Sequence, residues 1–232
     1  MEKIMPQPDI VYILRDGIDP AELRYSLRSL DNLPHRLVWF VGGAPEGIAP
    51  DRQIRHQQQG PTKWDLIKSS MLRITKEKEL SESFFLFNDD FFIMKPVTEN
   101  WINYIDGTLA DRIEQFRQEN PWLTPYARTL YKAEQELKSQ GATTYNFDVH
   151  LPMLFEKSKI GAIMRCSSPQ MRSVYGNLTG CQHRQHKDVK VYKLDEVPPD
   201  PDYLSTNDKT FKDGKVGEYI RAKFTKPSRF EQ

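Results

Sequence analysis

The sequence predicts an α/β fold: a mostly parallel sheet flanked by helices, with an elaborated C-terminal half. Two observations carry this. Short β-rich runs, DIVYIL, RLVWFV and SFFLF, are separated by stretches whose apolar residues recur at helical spacing. Strands that alternate with helices of this length form βαβ units, and such units build parallel sheets. The chain has no internal repeat, no low-complexity tract and no linker, so residues 1–232 are read as a single domain.

Each element has its own local reason. Ile10–Leu14 reads as a strand that ends in the turn Asp16-Gly17. In DPAELRYSLRSL, Asp19 is placed to cap a helix over Ala21–Leu30. Pro20 suits its first turn, and Leu23, Leu27 and Leu30 share a face. Leu37–Val41 is a second buried strand, stopped by Gly42 and Gly43, and RQIRHQ is a candidate short strand. TKWDLIKSSMLRI gives a helix over Lys63–Ile74, with Trp64, Ile67, Met71 and Ile74 on one face. Phe84–Phe87 is the third strand, and the three buried strands are expected as central neighbours. Beyond Pro96 the pattern loosens. Pro121–Lys138 and Gln170–Leu178 read as helical, YNFDVHLPM as extended, QHRQH as a basic loop, VKVYKL as a strand, and Val216–Phe224 as a weak helix.

Composition excludes several classes. Apolar residues make up 38% and aromatic residues 11%, enough for a core in which Phe and Tyr carry much of the burial. A formal charge of +1 supplies no field for nucleic acid or an anionic membrane. No apolar run is long enough to span a bilayer, and MEKIMPQPD lacks the apolar core of a signal peptide. Cys166 and Cys181 form neither a metal-ligand spacing nor a disulfide framework, and a reducing, cytoplasmic setting is expected.

The chemistry-bearing residues centre on SFFLFNDDFFIMKP, where Asp89 and Asp90 interrupt an aromatic run just past a buried strand. Ionised carboxylates are costly to bury unless paired or holding a cation. In open α/β sheets ligands bind beyond the carboxyl ends of the strands. Hard oxygen ligands at that place suit Mg²⁺ or Mn²⁺, which in turn can hold a diphosphate. The plainer alternative is a turn made by Asn88 and Asp89 with Asp90 in water. In DVHLP, Asp148 and His150 project to one face of an extended segment, as an acid–imidazole pair or as an ordinary surface pair. Asp208 in LSTND is open to two readings, a metal or acceptor contact or a helix-cap or turn residue. Asp16 and Gly17 lie where a nucleotide approaches the backbone. Arg24 and Arg28, one helical turn apart, suit phosphate, or form a solvated stripe. Arg172 is a further phosphate candidate.

In this order the motifs resemble the Stealth family of sugar-phosphate transferases, which act in capsule and wall polysaccharide synthesis. DIVYILRDGIDP is similar to the family's opening motif, ELRYSLRSLDNLP and FFLFNDDFFI to the start and end of its second block, VHLPM to the third and LSTND to the last. The resemblance implies a glycosyltransferase-A-like fold, a nucleotide-diphospho-sugar donor and transfer of sugar 1-phosphate to a hydroxyl of a polysaccharide or glycan acceptor. It also implies that Asp89 and Asp90 hold the divalent cation and that Asn88, in the same motif, contacts the donor phosphates. Asp16 would sit by the donor and His150 near the transferred phosphate, with Asn207 and Asp208 completing the acidic side. A conventional glycosyltransferase would use the same donor class, cation and fold, and a non-catalytic carbohydrate- or nucleotide-binding module would keep the aromatics but need no base. Convergence of Asp148, His150 and Asp208 on Asp89 and Asp90 is what an enzyme requires and a binding module does not.

Overall fold

The computed structural model describes residues 7–57, 62–119 and 122–232. The chain begins β1 (Asp9–Leu14), α1 (Pro20–Ser29), β2 (Val38–Gly42), β3 (Arg52–Ile54), α2 (Lys63–Ile74) and β4 (Ser83–Phe87). Next come β5 (Phe91–Ile93), β6 (Asn103–Ile105), α3 (Leu109–Glu119), α4 (Pro125–Ser139), β7 (Met153–Glu156) and α5 (Met171–Thr179). The last elements are β8 (His183–Gln185), β9 (Tyr203–Ser205), α6 (Asp208–Asp213) and α7 (Lys215–Lys223). The main sheet has the order β3-β2-β1-β4-β7. β1 is parallel to both β2 and β4, β2 is parallel to β3, and only β7 runs antiparallel, on the edge. The expected α/β architecture, with the three buried runs as neighbours at the centre, is present.

Strand alternation divides the core into two layers. Val11, Trp39, Val41, Phe84 and Leu86 face one side, with Met71 and Ile74 of α2 and Tyr175 of α5. Ile10, Tyr12, Val38, Phe40, Phe85 and Phe87 face the other, with Leu23 and Leu27 of α1. Successive side chains of a strand point to opposite faces, so a strand buried on both sides reads as a continuous apolar run. Caps set the helix starts. Asp19 accepts from the Ala21 amide ahead of Pro20, and Thr62 and Asp65 form a capping box at α2.

The second half departs from expectation. VKVYKL is not a strand: Lys190 makes a single bridge to Ser205, while Val191 turns into the core formed with Phe92 and Leu204. QHRQH is not a loop, because His183–Gln185 forms β8 beside β6. YNFDVHLPM bends through residues 149–151 before β7 begins. The helix expected from Pro121 starts at Pro125, capped by Thr124; residue 121 itself lies outside the described residues. β5 pairs with β9 as a separate antiparallel ribbon, which brings LSTND back against the Asp89-Asp90 turn. Among the described residues no helix is long and apolar enough to cross a membrane.

Candidate functional site

β1 passes through its helix to β2 on one side of the sheet, while β4 lies on the other, so the chain direction switches between the carboxyl ends of β1 and β4. A crevice opens at such a point because the two loops diverge. Here the loops are Arg15–Asp19 and Asn88–Asp90. Gly17 takes φ +68° in the first loop, a conformation that favours glycine. Gly43 at the end of β2 has no room for a Cβ, which would lie 2.6 Å from the Arg15 carbonyl and 2.9 Å from Asp16 Oδ1. Asp16 is thereby exposed and folded back toward β2, while Arg15 and Ile18 line the crevice.

The second loop is a turn, with the Phe91 amide donating to the Asn88 carbonyl at 3.3 Å. The turn reading is therefore correct for Asn88 and Asp89, but Asp90 does not face water. It is 9% exposed, and its Oδ2 accepts from Lys190 Nζ at 2.9 Å and from Ser205 Oγ at 3.3 Å. Asp90 Oδ1 is buried with no partner among the described residues. Elsewhere the same fold satisfies a buried carboxylate completely. Asp9 accepts from two nitrogens of Arg36, from Trp39 Nε1 and from the amides of Leu37 and Ser81. An orphaned lone pair at Asp90 is the feature a bound cation or water relieves.

Further carboxylates gather around this turn. Asp89, Asp90, Asp208 and Glu22 line one continuous cleft, with Lys190 on its rim. Burial and the neighbouring Asp90 push the Asp89 carboxyl up to about 6. Burial pushes Glu22 up to about 7, against the opposing bond from Thr206 Oγ1 at 2.6 Å and with added repulsion from Asp90, Asp89 and Asp208. Like charges this close resist joint ionisation, and added positive charge restores it. Among the described residues, however, no three histidine, cysteine or acidic side chains are arranged to hold a metal ion by themselves.

A second lobe adjoins the first at Asn88, and Asp148, His150, Tyr126 and Arg172 line it. The sequence paired Asp148 with His150; the structure does not. His150 Nδ1 donates to Asp188 Oδ2 at 2.8 Å and its amide donates to Asp188 Oδ1 at 3.2 Å. Burial raises the Asp188 carboxyl, but the His150 bonds outweigh it and hold it below its ordinary value. A carboxylate on Nδ1–H fixes the tautomer and leaves Nε2 as the basic nitrogen. Asp148 turns the other way, accepts from Ser173 Oγ, and is pushed up by burial. The bends at 149–151 are the cause, because they break the alternation that an extended segment would have kept.

No family model matches this chain, and no curated protein matches it.

The predicted residues thus fall into two groups. Asp89, Asp90, Asn88, Asp208, Asp148, His150 and Arg172 line adjoining parts of one crevice. Arg172 is a strut within it. It is 8% exposed, lies 5.1 Å over the Phe91 ring, and donates to the Leu151 carbonyl and to Asn88 Oδ1. Asn207 lines the acidic lobe, but its side chain is spent on capping α6 through the Thr210 amide at 3.0 Å. Arg24 and Arg28, expected to meet phosphate, lie outside the crevice. Both pair with Glu231, at 2.9 and 2.7 Å, and tie the C-terminal tail to α1. Helical spacing put them on one face but could not say which face meets the ligand. Glu22, Arg15, Asp188 and Lys190 were missed. Arg15 lines the crevice with no ion pair among the described residues.

Proposed function

We propose that this chain is a metal-dependent transferase that moves sugar 1-phosphate from a nucleotide-diphospho-sugar to a hydroxyl of a glycan acceptor, on a glycosyltransferase-A-like fold. One observation carries the proposal. The acidic turn at the switch point and an oriented histidine share one crevice, which is the convergence a base-assisted transfer needs. The Stealth-like motifs, read from sequence, add the reaction class.

The residues fit a divalent cation in part. Asp89 and the orphaned Oδ1 of Asp90 would supply two ligands, and Mg²⁺ and Mn²⁺ commonly take the remainder from substrate phosphates and water. A cation bound there would neutralise charge on the donor's diphosphate, and so on the nucleoside monophosphate that departs. Arg15, just past the end of β1, supports the same charge, a role that Arg24 and Arg28 do not reach. His150 Nε2 takes the acceptor hydroxyl proton, and Asp188 stabilises the imidazolium that results. The acceptor oxygen then bonds to the sugar-bearing phosphorus, the phosphoanhydride bond breaks, and nucleoside monophosphate departs with its electron pair.

A conventional glycosyltransferase is the second reading, because the same residues serve attack at the sugar carbon. Released nucleotide separates the two. In incubations with Mn²⁺, a panel of nucleotide-sugars and glycan acceptors, followed by phosphorus NMR, nucleoside monophosphate is expected. Nucleoside diphosphate would move the assignment to glycosyl transfer, and no release with any donor would overturn the enzymatic reading.

A further inference from the structure

A groove of about 450 Å³ opens between residues 95–101 and the strands β6, β8 and β9, next to the segment that carries Asp188 and Lys190. Its aromatic wall is Trp101, Tyr104, Tyr203 and His186. Trp101 meets Tyr104 and Tyr203 edge-on with centroids 5.3 and 5.7 Å apart, and His186 lies 5.1 Å from Tyr104. We propose that this groove binds a neutral glycan segment.

Charge balance disfavours a phosphorylated occupant. Lys95 is held by Asp200 and Asp202 at 2.8 and 2.9 Å. Arg184 donates to the Tyr104 hydroxyl at 2.8 Å and faces Glu99 at 3.5 Å. No cation in the groove is left for a phosphate or carboxylate, in contrast to the acidic crevice, where a cation is wanted. What the groove offers instead is ring surface and hydroxyl chemistry. The Tyr104 and Tyr203 hydroxyls lie 3.2 Å apart. The Trp101 indole N–H is buried with no acceptor among the described residues, and a buried donor without a partner is costly. Sugars match this set, because their C–H faces pack on aromatic rings while their hydroxyls both donate and accept.

The groove also leads somewhere. From His186, Asp202 and Tyr203 a shallower depression runs to Asp188 and Lys190, the residues that hold His150 and Asp90. A chain several sugars long, seated on the aromatic wall, would point its end toward the proposed base. The inference rests on the transferase reading only for the occupant's part as acceptor; binding itself does not depend on it.

Calorimetry without nucleotide tests it, with maltohexaose, cellohexaose, chitohexaose and mannohexaose as probes and an oligogalacturonide as the anionic control. At least one neutral probe is expected to bind. Trp101→Phe and His186→Ala are each expected to weaken that binding by about tenfold, the scale of one lost hydrogen bond or ring contact. Asp89→Asn is expected to bind the glycan like the wild type. Should Trp101→Phe fail to fold, His186→Ala and Arg184→Gln decide. The proposal is overturned by no binding of any neutral probe at millimolar concentration. It is equally overturned by binding that survives the groove substitutions, or by tighter binding of the oligogalacturonide. Glycan binding without nucleotide release would count against the transferase reading alone; release without glycan binding would count against the groove alone.

Discussion

Glu22 gives the sharpest test of the acidic cluster, because replacing it should stabilise the protein, and increasingly so as pH rises. Its side chain is 8% exposed and its carboxyl is raised from an ordinary 4.5 to about 7 by burial and by repulsion from Asp90, Asp89 and Asp208. The folded state therefore holds a proton that the unfolded chain has already released. Below the ordinary value there is no penalty. As pH rises from there to about 7 the penalty grows, and above that it is constant. The shift corresponds to about 3 kcal/mol at pH 8 and about 1 kcal/mol at pH 5. Glu22→Gln removes the charge while keeping the oxygen that accepts from Thr206. Urea denaturation in EDTA, followed by tryptophan fluorescence, should show the variant more stable than wild type by those amounts. A variant less stable than wild type at pH 8, or a difference that does not change with pH, would refute the account of the cluster.

Three further outcomes follow from the same geometry. Asp89→Ala should remove divalent-cation-dependent donor binding with little loss of stability, whereas Asp90→Ala should also cost about 2 kcal/mol in urea denaturation because it strands Lys190, 16% exposed, without its counter-ion. His150→Ala should lower turnover by about 10²–10⁴-fold at saturating donor with donor affinity kept, and Asp188→Asn should lower it too, while Asp148→Asn should not mimic either loss. Glu231, lowered to about 2 because the Arg28, Ser228 and Arg24 bonds outweigh burial, contributes stability above its ordinary value that is lost as pH falls toward about 2; Glu231→Gln should cost about 1–2 kcal/mol at neutral pH and nothing at the acid end.

What was legible in the sequence was what is encoded locally. β1, β2 and β4 are apolar runs buried on both faces, and α2 begins at Lys63 because the Thr62–Asp65 capping box adjoins the apolar repeat. α3 was missed although Thr108 and Asp111 form the same kind of box, with Asp111 Oδ2 accepting from the Thr108 amide at 2.8 Å. That signal was available. β6 and β8 were not readable, because three-residue strands are defined by their pairing rather than by their composition. VKVYKL alternates like a strand, yet only Lys190 finds a partner strand.

The site follows the same division. Asp89 and Asp90 stood out because carboxylates inside an aromatic run need an explanation. Their partners did not, since Lys190 lies 100 positions from Asp90 and Asp188 lies 38 from His150. Asp148 was read as the partner of His150 because it lies two positions away on a segment expected to be extended, and the bends at 149–151 break that pairing. Arg24 and Arg28 were misassigned for a parallel reason, their partner Glu231 being more than 200 positions away.

In the proposed reaction Asp89 and Asp90 bind a divalent cation that holds a diphosphate at the switch point of the sheet. Calorimetric titration of nucleoside diphosphates into the protein, first with Mn²⁺ and then with EDTA, tests it most directly. Binding is predicted with Mn²⁺, absent in EDTA, and absent in Asp89→Asn under both conditions. Equal affinity in EDTA, or Mn²⁺-dependent binding undiminished in Asp89→Asn, would contradict the account.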